Sequence, residues 1–405
     1  MALLQRVAAT FLFTGFLMHG ACLAAQPKGC LDFDAFRQIS EGYPVCEAEL
    51  LQSQSDNAHM AKLHAHMGEI LYWSMRFDLA INSFNKALEL DPKLVETRIQ
   101  RGWAFLRVDE AQRAFQDFSD ALQEKPDSGR AVFAIGFMYD WAGESERAFA
   151  AFKQAVELSP NYHLARVRLA NAYITNRKET ELGLAEYDRL ISFGETELNK
   201  VQFFDSLIEF QTGDFYATTL YERASARYNA GRVKDALADV EWLLKRYPDE
   251  FGPKELKSSL LSLENNFEDA AKLAAAASDI CYKNPQWKPC EKTDAILVWS
   301  LFRLHKYKEA ADIGRRLMAT GRNGKFADKA LYFAGLAMKN LGNVEEARQF
   351  ISAPVQTNSD YRALLITQLV QNGFYEGGVE DEMNDGILNG LEACLLDDSC
   401  LVFKS

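Results

Sequence analysis

The chain runs to 405 residues, 48% hydrophobic and 25% charged, with a formal net charge of −12. That hydrophobic content lies well away from the regime of disorder, and an acidic chain without a cluster of Lys and Arg excludes nucleic acid or an anionic membrane surface as the main partner. The length suggests two or three globular domains, unless the chain is a repeat array, which lengthens without forming separate cores.

Residues 1–25 read as a cleaved secretory signal: Arg6 precedes an apolar run over 7–18, and small residues end at Ala24 and Ala25. The run is too short to span a bilayer, and no later stretch approaches the ~18 to 20 apolar residues of a membrane helix. No transmembrane segment is expected. An acylated Cys22 is the competing reading, but His19 stands where a Leu-like residue belongs. Of seven cysteines, those outside the signal form three local couples: Cys30 with Cys46, Cys281 with Cys290, and Cys394 with Cys400. An even number in an exported chain implies disulfides, and rigid repeats between the couples favour local pairing. No Asn is followed two residues later by Ser or Thr, so a bacterial periplasm is favoured over a eukaryotic secretory route. The protein is expected to be periplasmic or secreted.

Residues 26–57 read as an N-terminal disulfide cap, and 58–160 as three clear repeats. The phrase NKALELDP, ending at Pro92, returns as KQAVELSP, ending at Pro160, with DALQEKP and Pro126 midway, so the period is 34 residues. In windows starting at Ala61, Val95 and Gly129, the eighth position is Gly68, Gly102 and Gly136, while Ala80, Ala114, Ala148 and then Ala87, Ala121, Ala155 recur in phase. Small residues let two helices approach, and Phe84, Phe118 and Phe152 supply the bulk beside them. Each second helix is expected to stop before its proline. These windows resemble tetratricopeptide repeats, and the resemblance implies an all-α fold, an α-solenoid forming a right-handed superhelix of helix-turn-helix repeats.

Residues 161–357 continue as about five degenerate repeats with a disulfide loop at 281–290, marked by Gly231 with Ala236, Phe267 with Ala270, Tyr307 with Ala310, and Gly342 with Ala347. Residues 195–213 read as a helix between units, and 358–405 as an acidic C-terminal cap. In the resembled family the first helices line a concave groove with positions 2, 5, 9 and 12 of each unit. Carried onto this sequence, that rule names Tyr72, Glu96, Trp103, Arg130, Phe133, Phe137, Asp140 and Asn171, with Trp103 and Phe137 as anchors for a protein or peptide partner. The alternative is that these rings are covered by the protein itself. In the loop, Tyr282 and Trp287 are the second candidate contact, either a recognition knob or a segment packed back on the array.

No GxSxG, HExxH or GxxxxGK[ST] occurs, so no catalytic residue, metal or cofactor is expected. His59 and His66 share one helix face while His64 points away, which favours solvated or capping roles. The tail over 381–392 imitates a calcium loop in part, with Met383 where an oxygen ligand belongs. An amphipathic cap helix with Val379, Met383, Ile387 and Leu391 inward is the plainer reading. The whole reads as a non-catalytic binding scaffold of the cell envelope or secreted space. Its rivals are an accessory subunit or enzyme in envelope polymer processing, and a structural spacer.

Overall fold

The computed structural model describes residues 29–35, 37–52, 56–199, 214–283, 290–321, 324–356, 358–378 and 384–397. Among these every regular element is helical, and none of the helices is long and apolar enough to cross a membrane. The chain divides into two compact units, Met1–Lys125 and Pro126–Ser405, so the division falls at the proline that closes the second of the 34-residue windows.

The first unit holds α1 (Ile39–Gln52), α2 (Asn57–Trp73), α3 (Phe77–Leu90), α4 (Val95–Arg107) and α5 (Ala111–Glu124), each packed on its chain neighbour from α1 to α5. The second opens with α6 (Gly129–Trp141), α7 (Ser145–Leu158), α8 (His163–Thr175), α9 (Thr180–Ser192) and a short α10 (Glu195–Leu198). It continues with α11 (Phe215–Asn229), α12 (Val233–Arg246), α13 (Phe251–Leu263), α14 (Phe267–Lys283), α15 (Cys290–Arg303), α16 (Tyr307–Thr320), α17 (Lys325–Asn340) and α18 (Val344–Ser352). It closes with α19 (Ser359–Gln371) and α20 (Asp385–Leu396). Helices again pair with their sequence neighbours, the arrangement of an α-solenoid in which each hairpin completes the core of the next. Of the expected inter-unit helix over 195–213, only α10 lies inside the described residues.

One backbone device sets the register. Met75, Asp109, Gly143, Lys178, Gly231, Asn265, His305 and Gly342 are left-handed, with φ between 58 and 78°, and each stands in the turn between the two helices of a hairpin. In all but the Lys178 turn, the next residue donates its N–H to the carbonyl five positions back, as Arg76 does to Leu71 and Lys306 to Leu301, at 2.8 to 3.0 Å. This closes the first helix with a 6→1 bond and reverses the chain in the shortest way. In the fourth hairpin Glu179 reaches back six residues, to Tyr173, in keeping with an extra residue ahead of Gly183.

The small residues do what their spacing demanded. A methyl added at Gly136 would stand 2.9 Å from the Ala151 Cβ and 3.0 Å from the Phe152 ring, while at Gly68 and Gly102 it would overlap the rings of Phe84 and Phe118. The second helices α3, α5 and α7 end at Leu90, Glu124 and Leu158, ahead of the three prolines, and their caps donate to the carbonyls of Ala87, Ala121 and Ala155. Buried carboxylates lock two hairpins at equal spacing: Asp117 takes both arms of Arg101, at 2.6 and 2.8 Å, and Asp239 takes both arms of Arg223, at 2.7 and 3.0 Å.

Cys30–Cys46 is a disulfide that ties a short 3-10 turn to α1, which packs on α2. Cys281–Cys290 bridges the end of α14 and the start of α15. Cys394 is also oxidised, and Cys400 lies outside the described residues. Asp385 begins α20 with Asn384 as its cap, so the calcium-loop imitation is helix from its fifth position onward. Ile387 and Leu391 are buried, and Val379 and Met383 lie outside the described residues.

Candidate functional site

The residues named by the groove rule do not form the expected aromatic surface. Trp103 is 0% exposed, its ring 5.2 Å from Phe118 within the same hairpin; Phe133 and Tyr72 are also buried. Trp103 therefore belongs to the core, and its role as an anchor is withdrawn. The reason is geometric: Phe133 is hemmed by Phe152 at 5.7 Å and Tyr162 at 5.1 Å, and Tyr72 by Phe77 at 5.4 Å. Phe137 is half-buried beneath the Arg168 guanidinium, 5.4 Å from its ring centroid. Asn171 accepts the Tyr187 hydroxyl at 2.5 Å. Arg130 lies over Tyr162 at 5.9 Å, and Glu96 and Asp140 are exposed.

Of the two readings of the loop, Tyr282 follows the one that packs back on the array. Tyr282 donates its hydroxyl to buried Asp294 at 2.6 Å, and the Arg316 guanidinium covers its ring at 4.4 Å. Tyr282 thus packs back onto the hairpin rather than standing out as a knob. Trp287 lies outside the described residues. His66 sits beside Cys30 and Cys46, whose sulfurs, bonded to each other, offer no thiolate to a metal.

An open pocket exists further along the second unit, between the first helices of successive hairpins: α11, α13, α15 and α17. Its volume is about 330 Å³. The rim and floor are built by residues at fixed distances from the left-handed turns. Trp299, six before His305, is half-buried and forms one wall, its ring 4.5 Å from Phe333 and 6.2 Å from Phe267. Ser259 and Ser262 of α13 and Ala295 of α15 leave the space in front of it. Leu263, 56% exposed, and Phe326, 44% exposed, present apolar surface at the mouth. Cations complete the lining: Lys292, Arg303 and Lys329.

Electrostatics there are one-sided. Lys292 donates to Glu255 at 2.7 Å, and Thr293 donates to the other carboxylate oxygen at 2.9 Å, so buried Glu255 is already engaged. Arg303 lies over Phe267 at 4.4 Å and over Trp299 at 5.0 Å, a cation held against aromatic faces. Behind the floor, burial and then the charge of Glu255 push the Tyr221 hydroxyl up to about 12. The groove rule named the right positions but was carried no further than the window of Asn171. Counted from the left-handed turns, Trp299 stands where Trp103 stands in its own hairpin, and Lys292 and Lys329 occupy the second position of theirs.

A helical-hairpin repeat protein with a pocket on its first helices is the class that this geometry defines. The chain carries tetratricopeptide repeats: the family model for that repeat matches residues 61–94 and 129–162. No curated protein matches the chain in sequence. Solved structures are similar in fold at low identity. PilF from Pseudomonas aeruginosa is 14% identical, covering 57% of this chain and 96% of its own, with a TM-score of 0.46. PilW, described as a widely conserved type IV pilus biogenesis factor, is 16% identical over 58% of this chain and 98% of its own, with a TM-score of 0.46. A tetratricopeptide repeat protein from Parabacteroides merdae is 18% identical over 65% and 95%, with a TM-score of 0.44.

Proposed function

We propose that the chain is a non-catalytic scaffold that holds a protein or peptide partner in the groove beside Trp299, in the periplasm or secreted space of a bacterium. The observation that carries this reading is the pocket itself: an aromatic wall and exposed Leu263 and Phe326 open between first helices of a repeat array. Such concave surfaces, with an apolar centre and a polar rim, are how stacked hairpins recognise chains. Export is supported by the signal-like residues 1–25 and by the disulfides Cys30–Cys46 and Cys281–Cys290, which persist in oxidising compartments.

A photo-crosslinking residue placed at Phe326, in living cells, should yield a discrete adduct. The same residue at Trp141, 67% exposed and outside the pocket lining, should not. Equal adducts from both positions, or none from Phe326, would sink the reading. A reporter active only outside the cytoplasm, fused after residues 1–30, tests export separately: an inactive fusion removes that part.

A further inference from the structure

We infer that the segment seated in this groove is acidic, with an aromatic or large aliphatic side chain set among its carboxylates. The inference rests on the groove reading above and adds the chemistry of the partner. The chain as a whole has 57 acidic against 45 basic residues, so carboxylates are in excess overall. The pocket reverses the sign: Lys292, Arg303 and Lys329 line it, and among the described residues no Asp or Glu does.

Elsewhere many arginines are spoken for. Arg101 holds Asp117, Arg166 holds Glu186, Arg223 holds Asp239 and Arg315 holds Glu346. Among the described residues neither Arg303 nor Lys329 is within ion-pair distance of a carboxylate. Lys292 is the exception in the lining, since Glu255 already takes its charge. Two cations with no carboxylate partner among the described residues thus flank an apolar wall in a protein of opposite sign. A basic segment entering there would bring like charges together, whereas carboxylates would meet both cations and leave an apolar side chain for Trp299 and Phe326.

The test is selection of a phage-displayed library of short random peptides on the full-length chain, followed by affinity measurement of the enriched peptides. Enrichment of Asp and Glu beside an aromatic or large aliphatic residue is the expected result. Their affinity should fall with rising salt and drop roughly fivefold in Lys329→Glu, an exposed position whose reversal leaves the core untouched. Enrichment of basic or uncharged peptides, or no enrichment, would overturn the inference. Trp299→Ala separates the two readings: uncharged peptides that it abolishes leave the groove standing and remove only the acidity. Acidic peptides indifferent to both Trp299→Ala and Lys329→Glu overturn the groove as well. Thermal melts of both variants, within a few degrees of the parent, confirm that binding rather than folding is read.

Discussion

Trp103 and Trp299 occupy the same place in their hairpins, six residues before a left-handed turn at Asp109 and at His305, yet the first is sealed and the second lines a pocket. What differs is the helix before. In front of Trp103, α2 carries Glu69 and Tyr72 at the two positions that α13 fills with Ser259 and Ser262 in front of Trp299. Large side chains close the space over one ring, and two serines leave it open over the other. Repeat position tells which face a residue belongs to; the volume of its neighbours decides whether that face is core or site.

The largest effect that could break this comparison comes from truncating both rings. Trp103→Ala should cost about 3 to 5 kcal/mol in denaturant unfolding, the cavity cost of a buried aromatic. Trp299→Ala should cost less than half as much while abolishing partner capture. Equal stability losses would mean that the two sites are the same kind of core. Next comes Gly102→Ala: its methyl would overlap the Phe118 ring, so a loss of about 1 to 3 kcal/mol is expected. A variant as stable as the parent would deny that the helices of that hairpin touch so closely.

Ser262→Tyr sharpens the comparison from the other side, by giving α13 the tyrosine that α2 has at the equivalent position. It should fill the space before Trp299, shift tryptophan fluorescence to the blue and weaken partner binding about tenfold, with the melting temperature little changed. Unaltered binding would place the partner elsewhere. The smallest effect is electrostatic. The Tyr221 hydroxyl is raised from 10.0 to about 12, so its neutral form favours the folded state. That contribution is complete below the unfolded value of about 10 and is lost as pH climbs through about 12. Alkaline unfolding should therefore be flatter over this window in Tyr221→Phe, and an identical pH profile would remove Tyr221 as a cause.

Much of the fold was legible in the sequence because its cause is local and periodic. The pairing of Gly68 with Phe84, and of Gly102 with Phe118, is a contact between two helices that any window of 34 residues displays. The prolines at 92, 126 and 160 stop the second helices by their own covalent structure. The site was harder to read for two physical reasons. The turns at Asn265, His305 and Gly342 are 40 and 37 residues apart, so a fixed period loses phase where the pocket lies. Two of those turns also use a non-glycine left-handed residue, which gives no sign of itself in the sequence. Exposure is harder still, because it depends on Ser259 and Ser262 in a different helix from the ring they uncover.

Hydrogen exchange of the full-length chain, with and without a selected peptide, tests the central claim most directly. The account predicts protection over 259–263, 292–303 and 326–329, with no change over 96–106. Protection centred on 96–106, or on the second helices with the Trp299 segment unaffected, would contradict it.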